Sequence, residues 1–151
     1  MGLYEEFDSV KPSSRPDYLG TGEHLLEVER IKENQGLTGH FFIAELRVVE
    51  SDNPTHKVGQ TRAWVVRLEG KAKASALADI KSFLAACHGF DPSSVEAQTE
   101  ITGKVFKLAI SEENPMEGNL VRASSREKPT KNGGIFTVHD WSPADESEKA
   151  A

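Results

Sequence analysis

The sequence predicts a mostly β protein: an antiparallel barrel of five or six strands, with one main helix between the third and fourth. Three observations carry this. Apolar and polar residues alternate at a period of two in three stretches before residue 70, and again after residue 102. Between residues 71 and 89 the period shifts to 3.6, the spacing of a helix. The turns between successive strands are short, which favours antiparallel pairing, and one main helix is too few to cover both faces of a parallel sheet.

The elements follow in order. Residues 1–20 contain Pro12, Ser13, Ser14, Pro16 and Gly20 with no sustained period, and are expected to be an arm pinned by Tyr4 and Phe7. In "EHLLEVERIK" (23–32), Leu26 and Val28 share one face, Glu27 and Glu29 the other, and Ile31 falls out of phase, which predicts a β-bulge. "NQGLTG" (34–39) is a turn. "HFFIAELRVVES" (40–51) places Phe42, Ala44, Leu46 and Val48 on one face, with Phe41, Ile43, Glu45, Arg47 and Val49 on the other. "QTRAWVVRLE" (60–69) is a third strand. In "KAKASALADIKSFLAACHG" (71–89), Leu77, Ile80, Leu84 and Cys87 form a stripe with Phe83 beside it, and Gly89 stands where a left-handed residue closes a helix.

"DPSSVEA" (91–97) reads as a second short helix capped by Asp91, with Pro92 in its first turn. "TGKVFKLAIS" (102–111) reads as a strand with Phe106, Leu108 and Ile110 inward. "ENPMEG" (113–118) is a turn, and "NLVRASSREK" (119–128) and "GIFTVHDW" (134–141) are the last strands. The domain is therefore expected over residues 21–141, between the arm (1–20) and a polar tail (142–151).

The chain, 151 residues with 37% hydrophobic content, is long enough for one domain with its own core. It lacks the run of about 18 apolar residues that a membrane helix needs. No charged-then-apolar leader opens it, and Glu6 stands where a myristoylation signal requires Ser or Thr. The single cysteine, Cys87, excludes an internal disulfide and suits a reducing cytoplasm. The net charge of −6 is unevenly spread: residues 1–29 carry −5, residues 140–151 carry −3, and the body between them +2. A slightly basic body thus has acidic ends.

The search for catalysis is negative. The sequence has no G-x-S-x-G, and Gly70-Lys71 lacks the earlier glycine and the Ser or Thr of a phosphate loop. His24, His40, His56, Cys87, His88 and His139 are scattered rather than spaced for a metal, and Glu112-Glu113 falls in a turn. No enzyme, metal or other cofactor is expected.

The search for binding finds more. Cations are interleaved with aromatics on the predicted strands: Arg47 near Phe41, Arg62 and Arg67 around Trp64, then Arg122, Arg126, Lys128 and Lys131. A single-stranded nucleic acid needs this mixture, cations for its phosphates and flat rings for its bases. Lys71 and Lys73 oppose the dipole of the helix they begin, and contact with phosphate would offset that cost. The competing reading is an ordinary solvated face. Phe42 and Phe106 share faces with aliphatics and read as core. Trp64 alternates with Val66 and Leu68, so parity favours the core and places Arg62 at the strand's mouth, while Phe41 is the better base-stacking candidate.

Three strands, a helix and two or three more strands is the order of the OB-fold. The runs "YLGTGEHLLEVERIKENQGLTGHFFIAELRVVES", "VGQTRAWVVRLEG", "ITGKVFKLAIS" and "TKNGGIFTVHDWSP" resemble phage-encoded OB-fold single-stranded DNA-binding proteins over roughly residues 18–143. That resemblance implies sequence-independent binding of single-stranded DNA in phage replication or recombination, in the host cytoplasm and without a membrane. It leaves room for a homodimer and for replication or recombination proteins docking on the acidic tail, although "SPADESEKAA" ends without a terminal apolar residue. "KPTKNGG" would be a cationic hairpin that follows phosphates, and "ADESE" an anion competing for the same groove. The alternative is a virion assembly protein that uses the barrel for subunit contacts.

Overall fold

The computed structural model describes residues 17–37, 39–71, 73–130 and 133–145, together with Leu3 and Asp8. Lys131, the expected pinning residues Tyr4 and Phe7, and the last six residues of the tail lie outside the described residues. The architecture is mostly β. β1 (Asp17–Tyr18), β2 (Gly22–Gly36), β3 (Gly39–Ser51) and β4 (Thr61–Arg67) precede α1 (Lys73–Cys87), α2 (Val95–Glu100) and α3 (Gly103–Ala109), and β5 (Leu120–Pro129) and β6 (Ile135–Pro143) close the chain. The sheet order is β1-β4-β3-β2-β5-β6. The five longer strands are antiparallel, and the short β1 runs parallel to β4. The main helix follows the third long strand, as expected.

The barrel expected from sequence is an open sheet: among the described residues no ladder joins β4 to β6. The outer edge of β4 is paired with β1 at Arg62 and Ala63 instead. The sheet nevertheless coils. Trp64 on β4 and Trp141 on β6, near opposite ends of the strand order, have ring centroids 4.7 Å apart. Phe83 of α1 packs on both, at 5.3 Å and 4.8 Å, and Phe42 of β3 completes the ring cluster.

The alternation read from β3 holds: Phe42, Ala44, Leu46 and Val48 are fully buried. The predicted bulge is present too. Val28 pairs with Leu46 and Arg30 with Glu45, which leaves Glu29 as the extra residue and returns Ile31 to the core opposite Ala44. Helix α1 closes as expected, with Gly89 at φ +85° and a Schellman pair of bonds from Gly89 and Phe90 to the Ala86 and Ala85 carbonyls. Its buried face carries Ala76, Ile80, Phe83 and Leu84, whereas Leu77, expected in the stripe, is exposed.

Three local expectations are corrected. The stretch 102–111 is not a strand: α3 occupies it, with Thr102 as N-cap accepting from the Val105 N–H. A run this short fits both periods, and here Val105, Phe106, Ala109 and Ile110 share a helical face against the core while Leu108 is exposed. Asp91 is not the cap of α2; it binds Ser93 in a turn, and Ser94 caps the helix. The edges of the domain also differ from the expected ones. Leu19, assigned to the arm, is buried, and β6 runs to Pro143 with Ala144 buried behind it. The 111–118 turn is held by Asn114, buried at φ +44°, whose side chain bonds both backbone groups of Ile31.

No helix among the described residues is long and apolar enough to cross a membrane.

Candidate nucleic-acid interface

The alternation that buries Phe42 turns Phe41 to the other face of β3, where it is half-buried. Its cross-strand partner on β4 is Arg67, whose guanidinium carbon lies 5.8 Å from the centre of the Phe41 ring. A cation over a ring face at that distance is attracted by the ring quadrupole. The ring also rests close to the backbone at Gly39: a Cβ there would come within 3.1 Å of it, at a φ of +138° that side chains rarely adopt. Arg67 is exposed, with Glu69 its carboxylate neighbour at 3.6 Å. The Leu68 N–H bonds the His40 carbonyl at 2.8 Å, and the chain turns at Gly70 into α1.

That turn puts Lys71 and Lys73, both exposed, just beyond Arg67 at the same end of the sheet. The first turn of α1 holds no acidic residue. Phe41 and Arg67 form a patch at this end, a half-exposed ring beneath a cation that Glu69 neighbours, and Lys71 and Lys73 follow at the start of the next helix, where anions are favoured.

The remaining predicted residues are placed differently. Arg47 lies farther along the same outer face, opposite Thr61, and is ion-paired with Glu27 at 2.9 Å. Between it and the patch, Lys32 and Glu45 pair at 2.7 Å, so this stretch is neutralised. Trp64 is buried, as its alternation favoured, and Arg62 on the same strand is buried as well. The Arg62 guanidinium donates to the Thr55 carbonyl and to Gln60 Oε1, fastening the connection between β3 and β4. Neither presents a surface to a ligand, which corrects their inclusion among the binding residues. Arg122 is half-buried on β5 opposite Ser142.

Arg126 and Lys128 belong to a second group. β2 begins at Gly22 opposite Ser125, so beyond that point β5 pairs with β6 alone. Arg126–Pro129 and Ile135–Val138 thus project as a two-stranded arm. Arg126 is ion-paired with Asp140, and Lys128 stands opposite Phe136. Ile135 and Phe136 are 68% and 46% exposed, and sequence reasoning missed both as contact residues. The signal was there: Phe136 has the parity of Val138 and Asp140, opposite to that of Trp141, the obvious core residue of the strand. The arm leaves the sheet at the Gly22 end of β2, whereas the Phe41 patch lies at the Gly36 end. The predicted residues form two groups rather than one groove.

No protein-family model and no curated protein matches the chain.

Two titratable groups packed into the fold are held neutral. Burial, then the nearby His24, lowers His139 to about 4, although Asp140 acts in the opposite direction. Burial pushes the Cys87 thiol well above its usual range, so it does not supply a thiolate nucleophile. Among the described residues no group of three or more His, Cys, Asp or Glu could hold a metal ion.

Proposed function

We propose that the protein binds single-stranded DNA without reading its sequence, on an OB-type barrel and with no catalytic step. The Arg67–Phe41 pair carries this reading. A single strand offers alternating phosphates and flat bases, and the patch offers cations beside a half-exposed ring. The strand order supports the barrel. A meander of β2, β3 and β4 whose first strand also pairs with β5, in a sheet whose β4 and β6 approach through Trp64 and Trp141, is compatible with a partly open barrel of this type. The second and third strands of that meander, β3 and β4, carry Phe41 and Arg67 as cross-strand partners, and OB-folds hold oligonucleotides on their second and third strands. The projecting arm, with Lys128 beside Phe136, offers the same pairing of chemistries again. The resemblance to phage proteins adds a setting: replication or recombination of a phage genome in the host cytoplasm.

The test is fluorescence anisotropy with end-labelled oligo-dT. The label belongs on the DNA because both tryptophans are buried. Affinity is expected to fall with salt at a log–log slope of about −0.7 per phosphate neutralised. Absence of binding at about 50 mM salt, where phosphate contacts are strong, would sink the proposal.

A second reading, virion assembly through subunit contacts, draws on the exposed Ile135 and Phe136. Oligomers that persist as salt rises, with no oligo-dT binding, would favour it.

A further inference from the structure

Helices α1 and α3 leave an apolar groove between them. Its walls are Leu77 and Leu84 of α1, Ile101 of the connection, and Gly103 and Phe106 of α3, around a hollow of about 220 Å³. Leu84 and Ile101 are buried, Phe106 is half-buried, and Leu77 is 42% exposed on the rim. A Cβ added at Gly103 would meet nothing within 4 Å beyond its own helical turn, so this end of the groove is open.

Cations stand along the rim. Lys73, Leu77, Lys81 and Leu84 recur at the spacing of one helix face, so the two lysines share the stripe of α1 that borders the groove. The Lys81 ammonium donates to the Gln98 carbonyl at 2.9 Å. On α3, Lys107 lies one turn beyond Gly103, on the same face. Among the described residues no carboxylate is ion-paired with Lys73, Lys81 or Lys107, the exposed Glu100 beside Ile101 included. An apolar floor within a cationic rim fits an acidic amphipathic helix, which seats in such a groove through anchors at i, i+4 and i+7.

The chain itself carries a segment of that chemistry. In "MGLYEEFDSV" (1–10), Leu3, Phe7 and Val10 have this spacing, and on a helix Glu5, Glu6 and Asp8 would take its flanks and back. The segment holds no lysine or arginine. Leu3 and Asp8, its two described residues, are helical, and Leu3 is 74% exposed, so its own fold leaves this anchor uncovered. The direction of the chain agrees. β1 runs parallel to β4 with Asp17 opposite Arg62, so the residues before Asp17 lead away from Arg67. The groove lies toward the Arg67 end: its Phe106 reaches Phe42, which pairs with Val66. We infer that residues 1–10 of one copy dock in the α1–α3 groove of another.

Such a contact joins two different surfaces. A docked copy still offers its own groove, so association runs head to tail unless two copies exchange segments. The inference does not rest on the single-strand reading, because α1 packs on the inner face of the sheet and Phe41 is on the outer one. Of the DNA-binding candidates, only Lys73 stands on the rim of the groove.

The test is sedimentation velocity of the full chain over a range of concentrations at low salt, where association is expected. Two variants separate the surfaces. Phe7→Asp spoils the segment and leaves the groove intact. Gly103→Leu fills the groove, where a side chain meets open space, and leaves the segment intact. Each alone should stay monomeric. Mixed in equal amounts, they should form a heterodimer and nothing larger, because only one matching pair of surfaces remains. Leu77→Glu, at an exposed position, takes the place of Gly103→Leu if that variant does not fold. A native chain that stays monomeric at every concentration would overturn the inference. Association that survives in the single variants would overturn it too, in favour of the exposed Ile135 and Phe136 of the arm, as would a mixture that stays monomeric.

Discussion

Phe41 and Trp64 are large aromatic residues on neighbouring strands, and the two faces of the sheet give them opposite uses. Trp64 is packed among Phe42, Phe83 and Trp141, so its surface is spent on the core. Phe41 is half-exposed and carries Arg67 on its ring. The same contrast divides the two arginines of β4, with Arg62 buried against a loop carbonyl and Arg67 exposed beside the patch. A ring or a cation is useful to a ligand only on the face whose packing does not need it, and one step in strand parity decides which face that is.

The largest effect should come from the inner face. Trp64→Ala is expected to lose about 3–5 kcal/mol of unfolding free energy, because it opens a cavity that Phe42, Phe83 and Trp141 cannot fill. Urea unfolding measures this, and the affinity of the folded fraction for oligo-dT should not change.

Acid should act on the same face. His139, next to Trp64 and Trp141, is held neutral with its value lowered to about 4. Its folded value lies below the unfolded one of about 6.5, so the unfolded chain binds the proton more readily. The stabilisation from the neutral ring is complete above about pH 6.5 and is lost as pH falls from there through about 4, on the order of 3 kcal/mol in all. A His139→Gln variant that keeps the full acid loss in this window would show that other groups cause it.

On the outer face the expected losses are in binding. Phe41→Ala should cost about 1–3 kcal/mol of affinity for single strands while the melting temperature hardly moves. If melting falls instead and affinity holds, the patch is only covering for the sheet. For the arginines, Arg67→Ala should reduce the salt slope by about 0.7, one phosphate contact. Arg62→Ala should leave the slope intact and cost about 1.5–3 kcal/mol of stability, the worth of charged hydrogen bonds to a loop.

The smallest effect concerns the tail. Removing residues 146–151, which carry Glu146 and Glu148, should tighten binding modestly at low salt and leave melting unchanged. Removing residues 142–151 should lower the melting temperature, since it takes the end of β6 and the buried Ala144. Equal melting of the two truncations would return the domain boundary to residue 141.

Much of this was legible in the sequence because it depends on local repetition. The alternation in residues 40–51 gave β3 and its buried face, the phase slip at Ile31 gave the bulge, and the apolar spacing with Gly89 gave α1 and its end. Each is dictated by backbone geometry acting on neighbouring residues. The stretch 102–111 was not legible, since so short a run fits either period and only the core beneath Phe106 and Ala109 selects the helix.

Of the candidate site, the sequence supplied Phe41, Arg67, Lys71 and Lys73 as chemically suitable residues, but not their convergence. Pairing of β3 with β4 sets Arg67 over Phe41, and the turn at Gly70 brings the lysines to the same end. Tertiary structure also removed Trp64 and Arg62, because coiling of the sheet brings β6 and α1 against the face they share. The hold on Gly20, whose carbonyl meets His24 and whose N–H meets His56, was likewise invisible, since those partners lie 4 and 36 residues away. Local periodicity fixes which way each side chain faces on its own strand; what it then meets depends on strands distant in the sequence, whose pairing is settled only when the whole sheet forms.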